Sequence, residues 1–299
     1  MTKSEQLSLN LEDPSKPERS ALNELFEMAY HYRQSKAFLE LMRFIGRFSQ
    51  YSPFNCMLLH IQNPEVTYVA TPHQWHTRFK RNIKKDARPL LILAPRSPVL
   101  FVYDLVDTEG KEMPERWQNP FSAFGNVDKK IWDMTVENCN QQGIMVDTAA
   151  HYPFLHAGTA FRLRSSNRVL KDRPGELFDF LIAISRELNL TASYATLVHE
   201  IGHILAGHLG KREDDGWKDR SNLPHEQEEL EAESISYLVC RRRGIETKSA
   251  EYLAKFVETN QTMPTVGIDT ILAVTYRIEK MGEELLPKKA RQKNSSSQP

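Results

Sequence analysis

One five-residue stretch constrains this chain more than any other: His199-Glu200-Ile201-Gly202-His203, set within LVHEIGHILAGHLG. Read as a helix, it puts positions i and i+4 on one face, so both imidazoles can reach a single tetrahedral cation. Glu200 is then about 100° around from His199, near enough to meet water at such a cation without ligating it. Leu197, Val198, Ile201, Ile204, Leu205 and Ala206 make the helix apolar on most sides, which argues against a chance match on a solvated surface helix. Two histidines and a glutamate buried among such residues need partners, because unsatisfied polar burial is costly.

A catalytic zinc takes three protein ligands and keeps one position open. The next helical pattern, HEQEELEAESISYLVC, supplies carboxylates, and Glu229 and Glu233 fall one turn apart on one face beside the small Ala232. Glu229 is the first candidate for third ligand, with Glu233 orienting a ligating histidine from behind; the reverse assignment stays open. Glu226, Glu228 and Glu231 read as a solvated acidic face. His208, about 140° around a continuous helix from His203, reads as a hydrogen-bonding or helix-end residue and not as a fourth ligand.

The rest of the chain bounds the setting. Lys+Arg and Asp+Glu both number 39 in 299 residues, so attraction to nucleic acid has to come from a local patch. No window approaches the roughly 20 apolar residues that span a bilayer, and the polar N-terminus lacks the apolar core of a secretory signal. Cys56, Cys139 and Cys240 are far apart and flanked by apolar residues, which reads as reduced, buried thiols in a cytoplasmic protein. The periodicity predicts a disordered arm over 1–20, an N-terminal domain over 21–110, a linker over 111–125, a second domain over 126–286 and a disordered basic tail over 287–299. Helices are predicted over about 193–209, 225–243, 248–260 and 268–285, with Arg241, Arg242 and Arg243 complementing the negative end of the second.

HEIGHILAGHLG followed by EELEAESISYLVC resembles the ImmA/IrrE-like zincin metallopeptidases, and the second segment is also similar to the C-terminal part of ArdC-type antirestriction proteins. The resemblance implies His199, His203 and Glu229 as zinc ligands and Glu200 as the catalytic base of an HExxH, gluzincin-like hydrolase. The stretch YSPFNCMLLHIQNPEVTYVATPHQWHTRFKRNIKKDARPLLILAPRS resembles the N-terminal domain of ArdC-like proteins, which is associated with single-stranded DNA. Residues 78–88 carry six basic side chains, Arg78, Lys80, Arg81, Lys84, Lys85 and Arg88, against Asp86 alone. With Phe54, Trp75 and Phe79 nearby, that is the composition of a single-strand site: cations tracking a backbone and rings stacking on bases.

The expected fold is α+β: a small N-terminal α/β ArdC-like module followed by a helix-rich zincin domain. The expected function is a zinc-dependent metalloendopeptidase acting on protein or peptide, a DNA-bound transcriptional regulator among the candidate substrates. The alternative is a single-stranded-DNA-binding antirestriction or plasmid-maintenance protein whose zinc site is structural or weakly active.

Overall fold

In the computed structural model, residues 35–94, 97–113, 125–148, 157–163, 169–170, 173–210, 219–247, 249, 252–253 and 266–287 are described. The arm expected over 1–20, the pattern over 21–34, most of the linker, most of the 248–260 helix and the tail after Pro287 lie outside them. The described chain mixes helices with small sheets. It divides into two compact units, Asn55–Pro120 in the first and Arg33–Phe54 with Phe121–Pro299 in the second.

Helix α1 (Ser35–Arg47) belongs to the second unit, and the first begins within α2 (Pro53–Gln62). Then come β1 (Val69–Ala70), α3 (Pro72–Phe79), β2 (Arg81–Ile83), β3 (Leu90–Ala94), β4 (Ser97–Asp104) and β5 (Thr108–Gly110). Strand β4 is central and antiparallel to both β1 and β3, while β2 pairs antiparallel with β5. Thr71 starts α3 with a capping box: its hydroxyl accepts from the Gln74 amide, and the Gln74 side chain accepts from the Thr71 amide. The edge strand β3 is covered by side chains. Asn55 and Gln62, two turns apart on α2, each accept a strand N–H and donate to a strand carbonyl, at Leu93 and Leu91. The buried Asp104 carboxylate accepts from Thr67 N–H, Thr67 Oγ1, Tyr68 N–H and Leu105 N–H, which offsets the penalty of its burial.

The second unit contains α4 (Lys129–Gln141), β6 (Ile144–Asp147), β7 (Gly158–Arg162), β8 (Val169–Leu170), β9 (Arg173–Leu177), β10 (Phe180–Ile184), α5 (Leu190–Leu205), α6 (His225–Arg242) and α7 (Ile268–Glu283). Strand β10, buried at every position, is flanked by β6 in parallel and β7 antiparallel; β8 and β9 pair separately. Helix α5 packs on β7 and β10 with one side and on α6 with another. The helix pair approaches closely at Gly202, where a Cβ would already touch the Ala232 Cα at 3.6 Å.

Two expectations change here. The periodicity starts the N-terminal domain at residue 21, yet α1 packs on α6. Leu39 of α1 packs against the cluster around Leu230 of α6, and Arg242 ties the end of the helix. The Arg242 guanidinium donates to the Ile45 and Phe48 carbonyls at the end of α1 and to the Tyr51 carbonyl, and pairs with Glu279 of α7 at 2.6 Å. The second change follows from the first: Arg242 satisfies the carbonyl end of α1, not of its own helix. Arg241 instead pairs with Glu246, and Arg243 donates to the Glu279 carbonyl. Among the described residues no helix is long and apolar enough to cross a membrane. Cys56, Cys139 and Cys240 are buried and free of disulfides.

Candidate metal centre

Helix α5 begins at Asn189, whose side chain accepts from the Ala192 amide, and runs unbroken through the HExxH stretch. His199 and His203 therefore stack one turn apart, and their Nε2 atoms lie 3.1 Å from each other. Helix α6 brings Glu229 to the same point, with Oε1 3.4 Å from His203 Nε2 and Oε2 3.7 Å from His199 Nε2. The three side chains form a group able to hold a metal ion, their ligand atoms all within 4.8 Å of one another. Metal–ligand bonds of about 2.0–2.1 Å in a tetrahedron set ligand atoms roughly 3.3 Å apart. The donor set has that spacing and the right chemistry.

Burial and the Glu229 carboxylate set the charges of the three side chains. Burial, with the neighbouring His203, holds His199 below the ordinary imidazole range, so its ring is neutral at pH 7. Burial would lower His203 as well, but the hydrogen bond and charge of Glu229 outweigh it and raise this ring. The same hydrogen bond, against the cost of burial, keeps Glu229 ionised. Glu200 is pushed up to about 7, chiefly by burial and despite the pull of His203. Its side chain packs on β7, close to Gly158, and accepts from the Ala160 backbone. A carboxyl poised there can take or give a proton near neutral pH.

Glu233 stands off the centre, its Oε1 3.7 Å from His199 Nδ1, on the far side of that ring from the ligand atoms. Burial raises it, opposed by a hydrogen bond from Ser249. Glu231 is not on a solvated face: its side chain is 0% exposed, bound to Arg220 and His208. The apolar stripe of α6 carries the signal for this, because Glu231, Ile235, Leu238 and Arg242 recur at helical spacing and all four are buried. His208 also departs from expectation in its path. Helix α5 ends at Leu205, so the chain turns before His208 and the angle around a continuous helix does not apply.

The basic segment of the first unit does not converge in this way. Trp75 is 0% exposed and donates its indole N–H to the Tyr103 carbonyl, packed with Tyr68, Ala70 and Met113. It is a core residue, which removes it as a base-stacking platform. Arg81 is spent inside its own unit, donating to Thr108 Oγ1 and to the Thr108, Gly110 and Lys111 carbonyls. Lys84 donates to the Val106 carbonyl. Arg78, Lys80, Lys84 and Lys85 remain exposed, with Arg78 over the Phe79 ring. Among the described residues of this unit an aromatic that does face solvent is Phe101 on β4, 53% exposed, which the sequence does not distinguish from the core residues beside it.

No protein-family model matches the chain, and no curated protein does. Among solved structures, the antirestriction ArdC protein from R388 plasmid aligns in its metal-free form at a TM-score of 0.35 and 15% identity, over 78% of this chain and 83% of that one. Its Mn(II)-bound form aligns at 0.37 and 16% identity, over 79% and 84%. These likenesses are too slight to assign the site, which rests on its own side chains.

Proposed function

We propose that this chain is a zinc-dependent hydrolase of the zincin peptidase type, cleaving peptide bonds in a protein substrate. One observation carries the proposal: three ligand atoms at tetrahedral spacing, with the buried carboxyl of Glu200 next to the first ligand on the same helix. His199, His203 and Glu229 would hold the cation, and a zinc ion bound there would supply Lewis acidity toward water and a scissile carbonyl. Glu200 is the residue that takes the proton of the attacking water and returns it to the leaving amine. Its contact with the Ala160 amide holds the carboxyl against β7 while it does so.

The test is Glu200→Gln in the zinc-loaded full chain, with an unfolded protein as substrate. Cleavage should fall by about 10²–10⁴-fold with zinc content unchanged. Equal cleavage by wild type and variant, or none by a zinc-loaded wild type, would sink the proposal.

A second reading has its own observation. The first unit exposes Arg78, Lys80, Lys84 and Lys85, and presents Phe101 to solvent. A single-stranded-DNA-binding antirestriction or plasmid-maintenance factor, its metal site structural, fits those residues. Binding of an oligonucleotide that survives loss of the zinc ligands would favour it.

A further inference from the structure

We infer that Arg220, Glu231 and His208 form a buried positioning chain that fixes the ring and tautomer of His203 and aims its Nε2 lone pair at the metal; this deepens the metal-centre reading and stands on it. The fixed charge at its base is Glu231, wholly buried yet with both oxygens engaged. Oε1 accepts from Arg220 Nη2 at 2.6 Å and from the Gly267 amide at 2.7 Å. Oε2 accepts from Arg220 Nη1 at 2.6 Å and faces His208 Nε2 at 3.0 Å. These bonds hold Glu231 ionised against the penalty of burial.

A carboxylate only accepts, so the proton between Glu231 and His208 sits on His208 Nε2. A neutral imidazole has one N–H, so His208 Nδ1 is an acceptor. It faces His203 Nδ1 at 3.0 Å, and His203 must therefore donate from Nδ1. Its Nε2 then faces the site, 3.1 Å from His199 Nε2 and 3.4 Å from Glu229 Oε1, where a metal ion would take the place of the proton shared with Glu229. Each tautomer in the chain is dictated by the one before it.

The backbone is built to allow this. Gly207, at φ 84° in the left-handed region, turns the chain after α5 so that His208 folds back under His203, its amide bonded to the His203 carbonyl at 3.0 Å. Arg220 locks the turn, donating its amide to the Gly207 carbonyl and its guanidinium to the Ala206 carbonyl. Among the described residues His199 has no equivalent support, because Glu233 stays 3.7 Å from its Nδ1, beyond hydrogen-bond reach.

The experiment uses the ¹⁵N-labelled full chain with one equivalent of zinc. Two-bond ¹H–¹⁵N correlations should show His208 protonated on Nε2 alone and His203 on Nδ1 alone. His208 protonated on Nδ1, or on both nitrogens, overturns the chain. In parallel, chelator competition should show zinc affinity falling about 10–100-fold in His208→Leu. His208→Asn, which keeps an acceptor near the former Nδ1, should recover most of it, and unchanged affinity in the leucine variant overturns the inference. Should the leucine variant fail to fold, the wild-type spectrum and the asparagine variant decide. A wild type that binds no zinc strikes the metal-centre reading itself, whereas zinc binding indifferent to His208 strikes only the positioning chain.

Discussion

Residues 78–88 and 225–233 are two densely charged stretches of this chain, one basic and one acidic, and on composition either could be a solvated face. Their surroundings differ. The acidic stretch lies on one helix with a partner helix opposite, so Glu229 meets two imidazoles and Glu231 meets an arginine and a third imidazole. The basic stretch runs from a short helix through a left-handed residue, Lys80, into a short strand and a turn, and its side chains diverge. Charge density is therefore a poor guide to a site. What matters is whether a second element places complementary groups within reach.

The contrast can be broken by substitution, most sharply at the centre itself. His203→Ala should abolish stoichiometric zinc uptake, a loss well beyond the roughly 10–100-fold expected of outer residues. Metal analysis after dialysis reads it, and retention of one zinc per chain would place the site elsewhere. Arg242→Met comes next. It removes the Arg242 donor from Glu279 and three carbonyls, and breaking a buried ion pair costs about 3–5 kcal/mol. Urea unfolding that shows less than about 1 kcal/mol of loss would remove Arg242 as the tie between α1 and the helices of the second unit.

Arg81 sharpens the contrast from inside the basic stretch. It is charged like its neighbours, but its guanidinium donates to one hydroxyl and three carbonyls of β5 and the residue after it. Arg81→Met should destabilise the first unit by about 1–3 kcal/mol, mostly from acceptors left unpaired. A variant as stable as wild type, by urea unfolding followed through tryptophan fluorescence, would return Arg81 to the pool of solvated cations.

Much of this is legible in the sequence, and what is not shares a cause. The HExxH spacing needs only one helix, and the third-ligand candidate needs only its partner helix, so both can be read from periodicity. The capping box of Thr71 and Gln74 is equally local. Glu231 reads as solvated because its neighbours are acidic, although its register with Ile235 and Leu238 places it on the buried stripe. The assignment of α1 to the second unit is not legible at all: it depends on long-range contacts, Leu39 against the Leu230 cluster and Arg242 reaching carbonyls at 45, 48 and 51. Trp75 shows the limit of composition, since a tryptophan beside lysines suits a stacking site and a core equally until its burial is known.

The smallest stability effect is expected at the exposed cations of the basic stretch. Arg78, Lys80, Lys84 and Lys85 are exposed, and replacing all four with glutamine should leave unfolding within about 0.5 kcal/mol per site. Their weight, if any, is toward a polyanion. Each lysine or arginine that neutralises a phosphate of a single strand contributes about 0.7 to the slope of log K against log salt. The quadruple variant should therefore bind a single-stranded oligonucleotide more weakly, its slope flatter by about 0.7 for each phosphate no longer neutralised. Phe101→Ala separates stacking from charge: it should weaken binding at every salt concentration and leave the slope alone. A slope unchanged by the quadruple variant would take these four residues out of any nucleic-acid surface, and the basic stretch would then stand as solvated face plus one structural arginine.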